Sequence, residues 1–181
     1  MYRGFARPEC HITIFLNGGA IRYSTYAREI SVKVNDITVL ANFICSHDFV
    51  LDGIDNLPVE EKLDYRAQFV ENHSLVRYNC HAYTFLNSRS LWFDGPTIEN
   101  ILLHLCTPFP RGEQTEGDIF LIKRGNVYEH SGVFQSADII KDKFGPLHFR
   151  EGIPFNQVLT EFPYDVSLFR YPYRPTPIDL H

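Results

Sequence analysis

The chain is short of basic charge. It carries 17 Lys and Arg against 22 Asp and Glu, a net charge of −5. Nucleic-acid binders present a basic stripe, and none is visible, so a duplex-binding role is not expected. It also lacks any apolar run near the roughly 18 residues that a membrane span requires. The basic start, Met1 to Pro8, is not followed by a clean apolar stretch, because Asn17, Gly18 and Gly19 interrupt the nearest candidate, His11 to Leu16. No signal peptide is read there. The expected address is the cytoplasm, with delivery by a signal-independent route as the alternative.

The four cysteines, Cys10, Cys45, Cys80 and Cys106, form no Cys-x-x-Cys pair. Zinc knuckles and thioredoxin motifs are therefore unsupported, and the thiols are read as reduced. His104 and Cys106 with Cys80 and His81 could be gathered round a zinc ion, but no paired spacing of the zinc type occurs. No metal and no cofactor are expected. No composition shift marks a linker either.

What the chain does have is a core. Its 181 residues suit one domain, 44% of them hydrophobic and 22% charged, and 14% are aromatic: 15 Phe, 10 Tyr and one Trp. Strand patterns fill residues 10–50. His11–Leu16 ends at the Gly18-Gly19 turn, and Ile30–Val34 and Ile37–Ile44 flank Asn35-Asp36 as a hairpin. A loop runs from Asp52-Gly53 to Pro58, and a helix is predicted from Pro58 to about His73. A second helix should start near Asn79-Cys80 and a third near Pro96-Thr97, the latter ended by Thr107–Gly112.

Beyond Gly117-Asp118 the pattern becomes a β-meander. Ile119–Ile122 is a continuous apolar run, and Val127–Phe134 and Ile139–Phe144 follow after turns. Val166–Arg170 adds a strand before a Pro-rich end. The layout is α+β, helices on an antiparallel sheet. A single domain is expected, with a β-rich extension over 1–57, a catalytic core over 58–170 and a Pro-rich tail over 171–181.

One constellation carries chemistry. Cys80 stands at a predicted helix start, where exposed N–H groups favour a thiolate. His130 lies on a following strand and can act as base, then acid. The Cys80 N–H can donate to an oxyanion. Asn79 reads most simply as an N-cap, with a substrate or oxyanion contact as its functional alternative. His81 is a substrate contact, a second ring near the thiolate, or an exposed side chain; the reading leans to exposure.

The run Tyr78-Asn79-Cys80-His81-Ala82-Tyr83, then Gly117-Asp118-Ile119-Phe120, then Glu129-His130-Ser131-Gly132-Val133-Phe134 resembles the papain-fold cysteine hydrolases of the NlpC type. These are mostly peptidoglycan amidases and endopeptidases. The resemblance spans residues 78–148. It implies a papain-like core, Cys80 as nucleophile, His130 as general base and a third polar residue that orients His130. In that family the third residue stands about 12 positions on, which is Asp142 here. His148 is the other candidate and is slightly preferred, since a polar ring is the common orienter. The chain departs at the nucleophile, with Asn-Cys-His-Ala where the family has Asp-Cys-Ser-Gly.

The implied activity is thiol-dependent hydrolysis of an amide, in a cell-wall peptide or an isopeptide-like bond. Without an export signal, an injected effector, a phage protein or a cytoplasmic enzyme fits better than a wall-remodelling enzyme. The alternative is a non-catalytic binding or inhibitory module. Its partner would meet the aromatic C-terminal strand, with Tyr164, Phe169, Tyr171 and Tyr173.

Overall fold

The computed structural model describes residues 9–16, 19–44, 50–52, 78–88, 91–144 and 148–172, with side chains for 29–43, 78–88, 91–144 and 149–172. The helix expected over Pro58–His73, Cys45 and the tail beyond Pro172 lie outside them. Two antiparallel sheets and three helices make up the described chain, an α+β arrangement.

The first sheet is built from β1 (Glu9–Leu16), β2 (Gly19–Val34), β3 (Ile37–Ile44), β4 (Val50–Asp52) and β5 (Leu91–Trp92), in the order β1-β2-β3-β5 with β4 also on β2. The expected hairpin forms, with Val34 opposite Ile37. Its tight turn needs a left-handed residue, and Asn35 supplies it at φ 53°.

The second sheet holds β6 (Thr107–Phe109), β7 (Ile119–Arg124), β8 (Val127–Phe134), β9 (Ile139–Phe144), β10 (His148–Pro154) and β11 (Asp165–Arg170). Its order is β10-β9-β8-β7-β11-β6. The three strands of the expected meander form, β10 adds a fourth beyond those expected, and β11 returns beside β7. Thr107–Phe109, read from sequence as part of a helix-ending loop, is instead the edge strand. Pro108 and Pro110 are compatible with that position because an edge strand leaves half its N–H groups unpaired.

The helices are α1 (Cys80–Leu86), α2 (Gly95–Leu105) and α3 (Phe155–Glu161). Asp94 caps α2 by accepting from Thr97 N at 2.9 Å, and Thr97 Oγ1 donates to Leu40 O, tying α2 to β3. α3 is too short for a clear sequence signal; it buries only Phe155 and Val158.

Ile119–Ile122 is apolar throughout because β7 is covered on both faces. Ile119 and Leu121 join a core with Val34, Val39, Phe85, Leu86, Ile98 and Ile101, shared by the first sheet, α1 and α2. Phe120 and Ile122 join Phe134, Ile140, Phe155, Val158 and Leu168 under α3. Each such side chain contributes about 1.5–3 kcal/mol when fully buried. These two cores clamp β8 and α1, the elements that carry Cys80 and His130.

Candidate active site

Cys80 is the first residue of α1, all seven residues of which are buried. Its entry is fixed by Asn79, whose Oδ1 accepts from Ala82 N at 2.9 Å and Phe93 N at 3.2 Å, while Nδ2 donates to Phe93 O at 2.8 Å. The amide is thus committed to the cap and to the chain after β5. Oδ1 is an acceptor and fully used, so any oxyanion contact by Asn79 would have to come from the second Nδ2 hydrogen. The N–H groups of Cys80 and His81, in the first turn, have no acceptor within the helix.

His130 lies on β8 just past a bulge. Ile122 pairs with His130 and Lys123 with Tyr128, so Glu129 is the extra residue. The β8–β9 ladder ends at Gly132–Asp142. Gly132 must be glycine: a Cβ there would lie 2.6 Å from the Phe120 ring and 2.8 Å from Lys141 O. Asp142 shares a face with His130, and its Oδ2 is 2.7 Å from His130 Nε2. Of the two candidate orienters, Asp142 is the one the structure brings onto His130. The backbone of His148 pairs across from Phe144 at the start of β10; its side chain lies outside the described residues. Phe162, at the end of α3, stacks on the His130 ring at 4.5 Å and 9°.

With Nε2 taken by Asp142, Nδ1 is the ring nitrogen left for the thiol. The Cys80 thiol is within hydrogen-bonding reach of both His130 and His81. Burial works against a charged thiolate, but attraction and hydrogen bonds to His81 and His130 outweigh it and hold the thiol well below its ordinary value. Burial likewise opposes a charged His130; hydrogen bonds to Asp142 and Cys80 overcome it and push the imidazole up to about 9. Asp142 would be pushed up by burial, yet Arg150 and His130 hold it below the usual carboxylate range. These directions favour a thiolate–imidazolium pair backed by a carboxylate. Cys106 contrasts with this: burial alone pushes its thiol up to about 12.

His81 is not exposed. It is 5% accessible, with Nε2 donating to Tyr128 O at 3.3 Å and Nδ1 at 2.9 Å from Ser131 Oγ, which is itself 2.9 Å from Thr84 Oγ1. The sequence lean toward exposure fails because β8 packs directly on α1. Of the three readings, the second ring near the thiolate is the one its position matches.

Four participants went unread in the sequence. Arg150 grips Asp142, Phe162 stacks on His130, Ser131 holds His81, and Lys143 is fully buried beside the site with Nζ 4.5 Å from the Tyr78 ring centroid. Only Arg150 left a signal: β10 continues the meander and sets Arg150 directly opposite Asp142, a cross-strand pair of opposite charge.

The aromatic C-terminal cluster divides. Tyr171 is buried and donates to Phe85 O at 2.8 Å; Phe169 packs against the first core; Tyr164 is exposed beneath Arg124; Tyr173 is outside the described residues. Among the described residues no group of three His, Cys, Asp or Glu side chains clusters as a metal site, and no helix is long and apolar enough to cross a membrane. No family model, no curated protein and no solved structure matches this chain.

Proposed function

We propose that the chain is a thiol-dependent amide hydrolase of papain-like, NlpC-type architecture. The observation that carries this is the Cys80–His130–Asp142 relay, in which Cys80 interacts electrostatically with a ring whose Nε2 is 2.7 Å from a buried carboxylate. The order of elements supports it as well: the nucleophile opens α1, a Gly-Asp turn introduces β7, and base and orienter follow on the adjacent strands β8 and β9.

In this reading the Cys80 thiolate attacks the carbonyl carbon, and a carbon–sulfur bond forms as the carbonyl electrons move to oxygen. The Cys80 N–H stabilises that oxyanion. The tetrahedral species collapses, the carbon–nitrogen bond breaks, and His130 gives its proton to the departing amine. Water then attacks the thioester with neutral His130 taking its proton. A carbon–oxygen bond forms, the carbon–sulfur bond breaks, and the carboxylic acid leaves as the Cys80 thiolate and His130 imidazolium are restored. The substrate class is a peptide or isopeptide-like amide, of which a peptidoglycan stem peptide is the first to assay.

Iodoacetamide tests the nucleophile. In the folded protein at pH 7, Cys80 should be alkylated faster than Cys106, and Cys80→Ala should abolish hydrolysis and thioester trapping. Equal labelling of the two thiols would sink the claim. A second reading, a non-catalytic binding module, draws on the closure of the site: Cys80 is 7% and His130 1% accessible. It predicts that Cys80 stays unmodified until the protein is unfolded.

A further inference from the structure

Behind the Cys80–His130–Asp142 relay stands a second layer that the proposed chemistry does not use. Arg150 Nε donates to Asp142 Oδ1 at 2.9 Å and Nη2 to Oδ2 at 2.7 Å, a two-point grip on the carboxylate. Its remaining arm, Nη1, donates to Glu161 Oε2 at 2.8 Å, and Glu161 also accepts from Gln157 Nε2 at 2.9 Å. The guanidinium is 4.2 Å from the Phe144 ring centroid, and its side chain is 11% exposed. Arg150 is thus held from three directions, by the register of β10, by the end of α3 and by an aromatic ring. The bulge that follows it in β10, between Arg150 and Ile153, frees the strand to turn away without disturbing the pair.

We propose that Arg150 is a positioning residue of this site: its fork fixes the plane of the Asp142 carboxylate and shares its charge, so that His130 is aligned to the thiol and still able to release its proton. The inference rests on the hydrolase reading above. Two physical arguments lead to it. A bidentate guanidinium sets the orientation of a carboxylate in a way a point charge cannot. And Asp142 Oδ2 accepts from both His130 and Arg150, so the ring faces a carboxylate whose charge is already partly neutralised. An unshared buried carboxylate would hold the imidazolium too firmly for His130 to serve as base in the second half of the reaction.

The charged and titratable groups that act on His130 directly are Cys80 of α1 and Asp142 of β9. Arg150 of β10 holds Asp142, Glu161 of α3 holds Arg150, and His81 of α1 and Lys143 of β9 act on Cys80. Lys123 of β7 lies over the Tyr128 ring, and Glu129 of β8 pairs with Arg124 of β7. Removing Arg150 alters the balance of this set through Asp142, the one member that touches both Arg150 and His130.

The probe is iodoacetamide, which needs no knowledge of the substrate. Its rate of reaction with Cys80 across pH 4–11 reports two steps: formation of the thiolate at low pH, and loss of the His130 proton near 9. In Arg150→Met the alkaline step should move up by about half a unit or more, whereas in Asp142→Asn it should move down. Arg150→Lys keeps the charge and should leave the step near its original place while slowing turnover. Glu161→Gln lets Arg150 lean wholly on Asp142 and should move the step slightly down.

An unmoved or lowered alkaline step in a cooperatively folded Arg150→Met overturns the proposal. If that variant does not fold, an unmoved step in Glu161→Gln overturns it instead. A parent protein with one inflection, at the value of an ordinary thiol, overturns the hydrolase reading itself. A parent with both steps and insensitive variants leaves that reading intact and removes only Arg150 from it.

Discussion

His130 Nε2 and Asp142 Oδ2 meet at 2.7 Å, with side chains 1% and 0% exposed. Twelve positions separate them in sequence, and the β8–β9 hairpin brings them to one face just where its ladder ends. Ions this deeply buried are costly unless every partner is in place. Here each is accounted for: the ring has the thiol and the carboxylate, and the carboxylate has the ring and Arg150.

That dependence gives the first prediction. Asp142→Asn removes the acceptor that raises His130, so its titration should fall from about 9 toward the ordinary range. The sign for stability follows from the same shift. His130 gains its proton more readily folded than unfolded, so its contribution is complete below about 6.5 and fades as pH rises through about 9. Asp142 contributes in the opposite sense: its share is present above about 3.9 and is lost as pH falls through its lowered value. Stability curves of parent and Asp142→Asn should therefore converge as pH falls below about 3.9 and draw closer, without meeting, above about 9, where the Asp142–Arg150 share remains; parallel curves would refute the assignment. At neutral pH the variant should lose about 3 kcal/mol, since it leaves Arg150 with only Glu161.

Asn79 separates scaffold from chemistry. With its amide spent on Ala82 and Phe93, Asn79→Ala should cost about 1–2 kcal/mol in chemical denaturation. The pH dependence of Cys80 alkylation should not change. Asn79→Asp keeps the cap acceptor and should recover part of the loss. An altered alkylation profile in a stable Asn79→Ala, which introduces no charge beside Cys80, would return this residue to the chemistry.

The strands were legible where hydrophobic period and turn residues agreed, as at Val34-Asn35-Asp36-Ile37 and from Ile119 to Phe144. Cys80, His130 and Gly117-Asp118 stood out because helix start, turn and strand recur in a recognisable order. What stayed hidden depends on contacts between distant segments. The burial of His81 is set by Ser131 of β8, 50 residues away. Phe162 reaches His130 only because α3 packs under Phe120 and Phe134. Asp142 and His148 could not be ranked from spacing, since the choice turns on which face of β9 meets β8. Arg150 was within reach of the strand register, had the meander been carried one strand further.

Gly132 is tested by volume. Its missing Cβ leaves room for the Phe120 ring, which in turn lies 5.8 Å from the His130 ring centroid. Gly132→Ala must displace that ring or the Lys141 carbonyl. It should cost about 1–3 kcal/mol, as overpacking does, and slow Cys80 alkylation through the shifted ring. Gly132→Ala combined with Phe120→Leu should recover part of the stability; no recovery would place the strain elsewhere.

Lys143 offers the sharpest pH test, because its charge works against folding. The side chain is fully buried, and burial pushes its ammonium down to about 7, though attraction to Cys80 opposes the fall. Between about 7 and 10.5 the unfolded chain holds a proton there that the folded chain has given up. Stability arising from this residue must therefore rise with pH across that window. Lys143→Met cannot show the rise. Denaturation midpoints for parent and variant at pH 6.5, 8.5 and 10.5 should show the parent gaining on the variant by a few kcal/mol from the first to the last. A constant gap would mean that Lys143 keeps its proton in the folded state. Its ammonium would then be a fixed positive charge beside the thiolate, and Lys143→Met should raise the pH at which Cys80 first reacts.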